Sequence, residues 1–474
     1  MRRVVVGLIA VVLGMSSAPA WSADPAAPAV SVLTATAPPP TYAGQPASIG
    51  FTLTTGDPAT PLAGQPVTVE RQRAGAWQPV GTVTTDAAGA GRATVAASRT
   101  PADNTVRLSF AGDETHAAAQ VLVVIPLRRR TSRVTVTGPG RVVDEQSTRV
   151  RVAWRADSGE AVSGRVTLQV AERQVVTRKG KRVVQWRWRT AAVLLTDAQG
   201  VATYTSTPRA DTRWRAIAPT LPWVTGASSG VYALDNRPPG PPVRLPGRAP
   251  TPKRRLPVQP HAVGAGPHAV VTSVPDDVWR SMVGRTWHSG CPVGRTALRL
   301  IRVNYWDYTG YRRRGEIVVA ASVAAQVAAA FSDLYSHRLP LRSMVREDRF
   351  GWSGRLHGAD DYKSMQAGNT SGFNCRGVVG NPRTLSPHSY GTAIDLNTWE
   401  NPYRSRQGTV PNRWWQRHSH PRVAWRSSAH VVVRIMASHG LHWTYGLGDT
   451  QHFDAVPPGA SRPIVVACGL RVCE

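Results

Sequence analysis

Two short segments near the end of the chain hold residue types able to do hydrolytic chemistry. The first is Ser386-Pro387-His388-Ser389-Tyr390-Gly391-Thr392-Ala393-Ile394-Asp395-Leu396, the second runs from Gly440 to Asp454 and holds Asp449 and His452. His388 and Asp395 are seven residues apart, an odd separation that would point them to opposite faces of a regular strand. Gly391 can turn the chain between them, so that both reach one point. On the strand expected over 392–396, Ala393 and Asp395 share a face, and a carboxylate in so apolar a run needs a metal or an arginine as partner, because burying it alone is costly. Asp449 and His452, three apart, can act at one site in a turn. Together the segments offer two imidazoles and a carboxylate for a metal, with one carboxylate to spare. Three protein ligands and an open water position make a catalytic zinc site. Zinc lowers the pKa of its water to roughly 7, and a nearby carboxylate can take the proton.

The run Ser-x-His-x-x-Gly-x-Ala-x-Asp followed by carboxylate-x-x-His resembles the zinc D-alanyl-D-alanine carboxypeptidases, the VanY-type murein peptidases, over roughly residues 300–460. L-alanyl-D-glutamate endopeptidases of phage lysins are relatives of that family. The resemblance implies zinc held by His388, Asp395 and His452, with Asp449 at the position of the catalytic base. Many of the carboxypeptidases carry Glu there, and Asp is similar to the endopeptidase branch, so the bond cleaved stays open. The segment Asn369 to Arg376 resembles one secreted branch. By that likeness Arg376, with Arg346 behind it, is the candidate for steadying the oxyanion, a role that suits a fixed guanidinium.

Other residues carry weaker signals. Ser386 steadies the first imidazole or caps a turn. Trp443 and Tyr445 line the cleft or pack in the core. His418 and His420 sit in a basic, Trp-rich surface loop. The four cysteines, Cys291, Cys375, Cys468 and Cys473, all lie in the C-terminal half. In an exported chain they suggest two disulfides, for which three pairings exist.

The elements that position these residues are legible from periodicity. Val323, Val327, Ala330, Phe331 and Leu334 mark a helix over Ser322 to Tyr335, and Val432, Ile435 and Met436 mark another over Ser428 to His439. Gly315 to Ala320, Thr392 to Leu396 and Leu441 to Tyr445 read as strands. The pattern predicts an α+β catalytic domain over 269–474 with a small antiparallel sheet. Upstream, short β-prone runs punctuated by turn residues predict two all-β sandwiches, over 30–127 and 132–236. Thr85-Asp86-Ala87-Ala88-Gly89 and Thr196-Asp197-Ala198-Gln199-Gly200 repeat a turn signature. The pair resembles bacterial immunoglobulin-like domains. Residues 237–268, rich in proline, read as a semi-rigid linker holding the catalytic domain away from the sandwiches.

Arg2 and Arg3, an apolar run from Val4 to Gly14 and small residues before position 23 read as a signal peptide over 1–23. The apolar run is too short to span a bilayer, and no later stretch reaches ~20 apolar residues. A secreted or wall location follows as an expectation, with no membrane span after cleavage. The formal net charge of +28 includes 57 basic residues. Such charge attracts polyanions; after export, anionic cell-wall polymers are better partners than nucleic acid, for which no specific motif exists. The expected substrates are peptidoglycan peptides. A non-catalytic wall-binding protein is the alternative class.

Overall fold

The computed structural model describes residues 27–56, 58–178, 181–256, 259–379, 381–405 and 408–460. The expected signal peptide and two of the cysteines, Cys468 and Cys473, lie outside the described residues. No helix among the described residues is long and apolar enough to cross a membrane.

The N-terminal region is all-β, consistent with two immunoglobulin-like sandwiches. In the first, Ser31–Thr36, Pro46–Thr55 and Ala90–Ala96 form one antiparallel sheet; Ala76–Thr84, Pro66–Arg73, Thr105–Phe110 and Ala119–Val124 form the other. Alternation does the sorting. In Pro46–Thr55 every second residue is buried, which puts Ile49, Phe51 and Leu53 against Val67, Val69 and Leu108. The second sandwich packs around Trp154 and Trp214, both almost fully buried. The repeated turn takes the same form twice. Asp86 Oδ1 accepts the N–H groups of Ala88 and Ala90, and Asp197 Oδ1 accepts those of Gln199 and Val201. Gly89 and Gly200 both sit at φ +68°, where a Cβ would strike a backbone carbonyl.

The C-terminal region is α+β. A hairpin of Leu298–Trp306 and Arg312–Ala320, edged by Val270–Ser273, packs under the helix Ala324–Ser336. The helix is one turn-half later than its apolar spacing suggests, because 321–323 close as a 3-10 turn. The second expected helix runs over Val431–Ser438. A second small antiparallel sheet pairs Ala393–Asp395 with His452–Ala455 and that strand with Leu441–His442. The last strand is shorter than expected, since the chain folds back at Thr444 N–H to His442 O. Val327, Phe331, Ile394, Leu396, Met436 and Phe453 make one shared core.

The proline-rich segment does not stand off as a tether. It is laid along the catalytic domain: Gly240 N–H bonds Gly310 O, Val243 N–H bonds Tyr308 O, and Trp399 Nε1 donates to Pro250 O at 2.7 Å. Asn304, fully buried, donates from Nδ2 to Val263 O and Gly266 O. Prolines lack an N–H but keep their carbonyls; Trp399 and Asn304 donate to carbonyls of the segment, and its Gly240 and Val243 N–H groups donate to the 308–310 turn. The second sandwich touches the catalytic domain through Arg312 paired with Glu145 and through Tyr311 Oη donating to Asn236 O at 2.7 Å.

Candidate active site

Ser386 begins the site. Its Oγ accepts the His388 N–H at 3.4 Å and starts the 3-10 turn Pro387–Tyr390. Gly391, at φ +74°, then turns the chain into Ala393–Asp395; a Cβ there would lie 2.7 Å from Ala320 N. On the paired strand His452 stands directly opposite Asp395. Cross-strand partners are neighbours in space, so the two sequence segments meet.

The meeting point holds three residues, none more than 3% exposed. His388 Nε2 lies 3.2 Å from Asp395 Oδ2, and His452 Nδ1 lies 3.2 Å from Asp395 Oδ1. One ligand atom from each residue can be chosen with all three within 4.8 Å of one another, a group able to hold a metal ion. The imidazoles meet edge to face, centroids 5.0 Å apart. Each ring is fixed from behind. His388 Nδ1 is 2.8 Å from Gly372 O, an acceptor only, so Nδ1 carries the proton and Nε2 presents its lone pair. His452 Nε2 is 3.0 Å from Asp454 Oδ1, which leaves Nδ1 facing Asp395. Such outer partners orient metal-ligating imidazoles. The donor set therefore fits a divalent cation of the zinc type: two nitrogens and one carboxylate.

The electrostatics of the cluster agree. Burial alone would push the Asp395 carboxyl up, yet the imidazoles of His388 and His452 hold it well below its ordinary range. Burial works against a charged His452, but Asp454 and Asp395 together raise it well above an ordinary imidazole. The carboxylate of Asp395 is thus kept ionised between the two imidazoles.

A narrow cleft, open to solvent, lies over the cluster. Asp449 lines it, held at the end of the turn 445–448 by a backbone bridge to Tyr403. Arg376 lines it too, 5% exposed, with Nη2 2.9 Å from Asp361 Oδ2 and Nη1 donating to Gly377 O. Tyr445 is a cleft residue whose ring lies 5.1 Å from that of His452. Trp443 is a core residue, packed on the shared core with Nε1 donating to Thr450 O. Arg346 is elsewhere, tied to Glu316 and Asp348. His418 stacks on Trp414 and His420 bonds Arg244 O, so neither joins the cluster.

Three contributors escaped the sequence reading. Asp454 had a signal, since residues two apart on a strand share a face and His-x-Asp was visible. Gln451, which donates to Asp395 Oδ2 at 3.2 Å, sits between recognised residues. Asp361, at the start of the helix Asp361–Ala367, had none, because its relation to Arg376 exists only in the fold.

Cys291 and Cys375 form a disulfide with Cα atoms 5.9 Å apart. It pins the residue before Arg376 to the loop after the helix Asp276–Met282 and closes 84 residues. Constraining a loop of that length in the unfolded chain is worth about 4.5 kcal/mol by loop entropy. Cys291→Ser is therefore expected to lower the melting temperature of the catalytic region by ~10 °C, read by calorimetry. A shift under ~2 °C would mean the bond contributes little.

Residues 379–455 match the family model described as D-alanyl-D-alanine carboxypeptidase, which supports a peptidase of that kind. The match includes His388, Asp395, Asp449 and His452 but begins after Arg376. No curated protein matches the chain. Among solved structures, the tetra-tandem repeat in the extending region of a large adhesion protein is similar at 13% identity and TM-score 0.28, over 62% of this chain and 63% of that one. Salmonella alpha-2-macroglobulin reacted with methylamine is similar at 14% identity and TM-score 0.19, over 58% and 18%. Escherichia coli alpha-2-macroglobulin activated by porcine elastase is similar at 12% identity and TM-score 0.18, over 57% and 25%. The chain spans less than two thirds of the length of each.

Proposed function

We propose that this chain is an exported zinc peptidase that hydrolyses D-alanyl-D-alanine-type bonds in the stem peptides of peptidoglycan. The observation that carries the reading is the convergence of His388 Nε2, Asp395 and His452 Nδ1 beneath a cleft also lined by Asp449 and Arg376. Zinc, when bound by those three residues, supplies a Lewis acid that makes water a nucleophile at neutral pH. The remaining chemistry belongs to the chain. Asp449 accepts the proton of the attacking water and returns it to the leaving amine. Arg376, held by Asp361, balances the charge that grows on the scissile carbonyl oxygen. Gly372 O and Asp454 keep the imidazoles aimed, and Gln451 steadies the carboxylate between them. Residues 1–23 serve as the export signal, and the sandwiches space or anchor the enzyme on the wall.

The test uses the purified full chain and a defined stem pentapeptide, with products read by mass spectrometry. Activity is expected to vanish on treatment with chelator and to return with zinc. Release of free D-Ala supports the carboxypeptidase. Cleavage between L-Ala and D-Glu supports the endopeptidase reading, which the aspartate at position 449 favours. Absence of any hydrolysis by the zinc-loaded protein, alongside retention on purified wall, would leave only a binding protein.

A further inference from the structure

The second sandwich carries an arm. The strand Arg165–Arg178 pairs on one side with Thr212–Ala218 only as far as Glu172 opposite Thr212. On its other side it stays paired with Lys181–Leu195 out to Arg178 opposite Lys181. Six further residues at about 3.4 Å each carry a two-stranded ribbon ~20 Å past the end of that third strand. A bare ribbon is marginal in water. This one exposes Val175, Val183 and Val184, each more than 40% accessible, and so gains little from its own domain.

Its charge is one-sided. Residues 165–189 contain eight Arg and Lys and a single acidic residue, Glu172, and Glu172 is already paired with Arg189 at 2.8 Å. At the root of the arm Arg213 lies over the Trp186 ring at 4.2 Å and Arg215 over Trp188 at 4.4 Å. Those stacks hold two guanidiniums in place before any ligand arrives, which reduces the entropy lost on binding. Guanidinium suits phosphate, which it meets with two parallel hydrogen bonds. A long narrow ribbon with basic groups along its length fits a linear polymer whose anionic groups recur at intervals.

We propose that this arm is a docking site for a phosphodiester-linked anionic glycopolymer of the cell envelope. Nucleic acid shares the phosphodiester but fits less well. Proteins that hold single strands offer open aromatic faces on which bases stack, and here arginines already cover one face of Trp186 and of Trp188. The arm is separate from the cleft and its chemistry does not depend on the zinc site.

The experiment compares the full chain with Arg173→Gln/Arg187→Gln/Arg213→Gln, all three positions exposed on the arm or its root. A control with equal charge loss, Arg73→Gln/Arg92→Gln/Arg133→Gln, alters exposed positions in the rest of the sandwiches. The probe is purified polyglycerol phosphate, with a single-stranded oligonucleotide at matched phosphate as comparison. At ~0.15 M salt the arm variant is expected to bind the glycopolymer roughly ten- to thirtyfold more weakly, taking each exposed charge contact at its usual size. The control should change less than threefold. The charge-keeping variant Arg173→Lys/Arg187→Lys/Arg213→Lys should bind between the wild-type chain and the glutamine variant, since the charge stays while the paired hydrogen bonds go, which separates loss of charge from loss of fold. Equal losses in the arm variant and the control, unchanged binding in the arm variant, or tighter binding of the oligonucleotide than of the glycopolymer would each overturn the proposal.

Discussion

Asp395→Asn is expected to give a folded protein that no longer retains zinc and has lost peptidase activity by at least ~10⁴-fold, since water without a Lewis acid has a pKa near 15.7 instead of roughly 7. Asparagine keeps the shape of aspartate, so the strand pairing with His452 and the contact from Gln451 can persist. What goes is the negative charge between two imidazoles. Two readouts check this together: metal content after dialysis, and thermal melting with and without added zinc. A ligand that binds only the native state raises the melting temperature, so the wild-type chain should gain stability from zinc and the variant should not. A variant that keeps one equivalent of metal and near-normal turnover would remove Asp395 from the ligand set.

The metal-free proteins should differ as well, and the sign follows from the two shifted groups. Asp395 is held below its ordinary 3.8, so its contribution is present above that pH and lost as pH falls through the lowered value. His452 is held above its ordinary 6.5, so its contribution is complete below that pH and lost as pH rises through the raised value. Both act in full between about pH 4 and 6.5. Without metal, the wild-type chain should exceed Asp395→Asn in stability most clearly inside that window.

Local grammar explains why the convergence of the candidate ligands was readable before the fold was known. The turn at Gly391 and the strand after it are dictated by adjacent residues, so Ser386, His388 and Asp395 come as a unit. The helices were visible because each has one buried face; their starts moved because 321–323 form a 3-10 turn and His430 caps the second helix. Relations that depend on distant chain were not legible. Arg376 and Asp361 are separated by fifteen residues and joined only by tertiary structure. The proline-rich segment misled because composition describes an isolated chain: it reads as a spacer until Asn304 and Trp399 donate to its carbonyls and the 308–310 turn accepts its N–H groups. Trp443 and Tyr445, two apart in sequence, had equal claims on the cleft. The fold-back after His442 sends Trp443 to the core and Tyr445 to the opening.

Asp449→Asn should separate proton transfer from metal binding. Three carboxylates line the cleft among the described residues: Asp361, Asp395 and Asp449. Asp361 is engaged with Arg376, and Asp395 lies between the imidazoles. Asp449 is the third, and its backbone bridge to Tyr403 holds it at the cleft wall. Loss of a positioned general base costs typically 10²–10⁴-fold, so kcat on a stem peptide should fall by about 10³-fold. Zinc content should stay at the wild-type level and KM should move little, because the amide of asparagine occupies the same space. Asp449→Glu should recover a large part of kcat by restoring a carboxylate one methylene further out. That pattern, turnover lost and regained with metal constant throughout, is what a proton carrier produces and a ligand does not. If Asp449→Asn keeps turnover within tenfold of wild type, the proton leaves by another route and the assignment of Asp449 fails, whatever becomes of the zinc site.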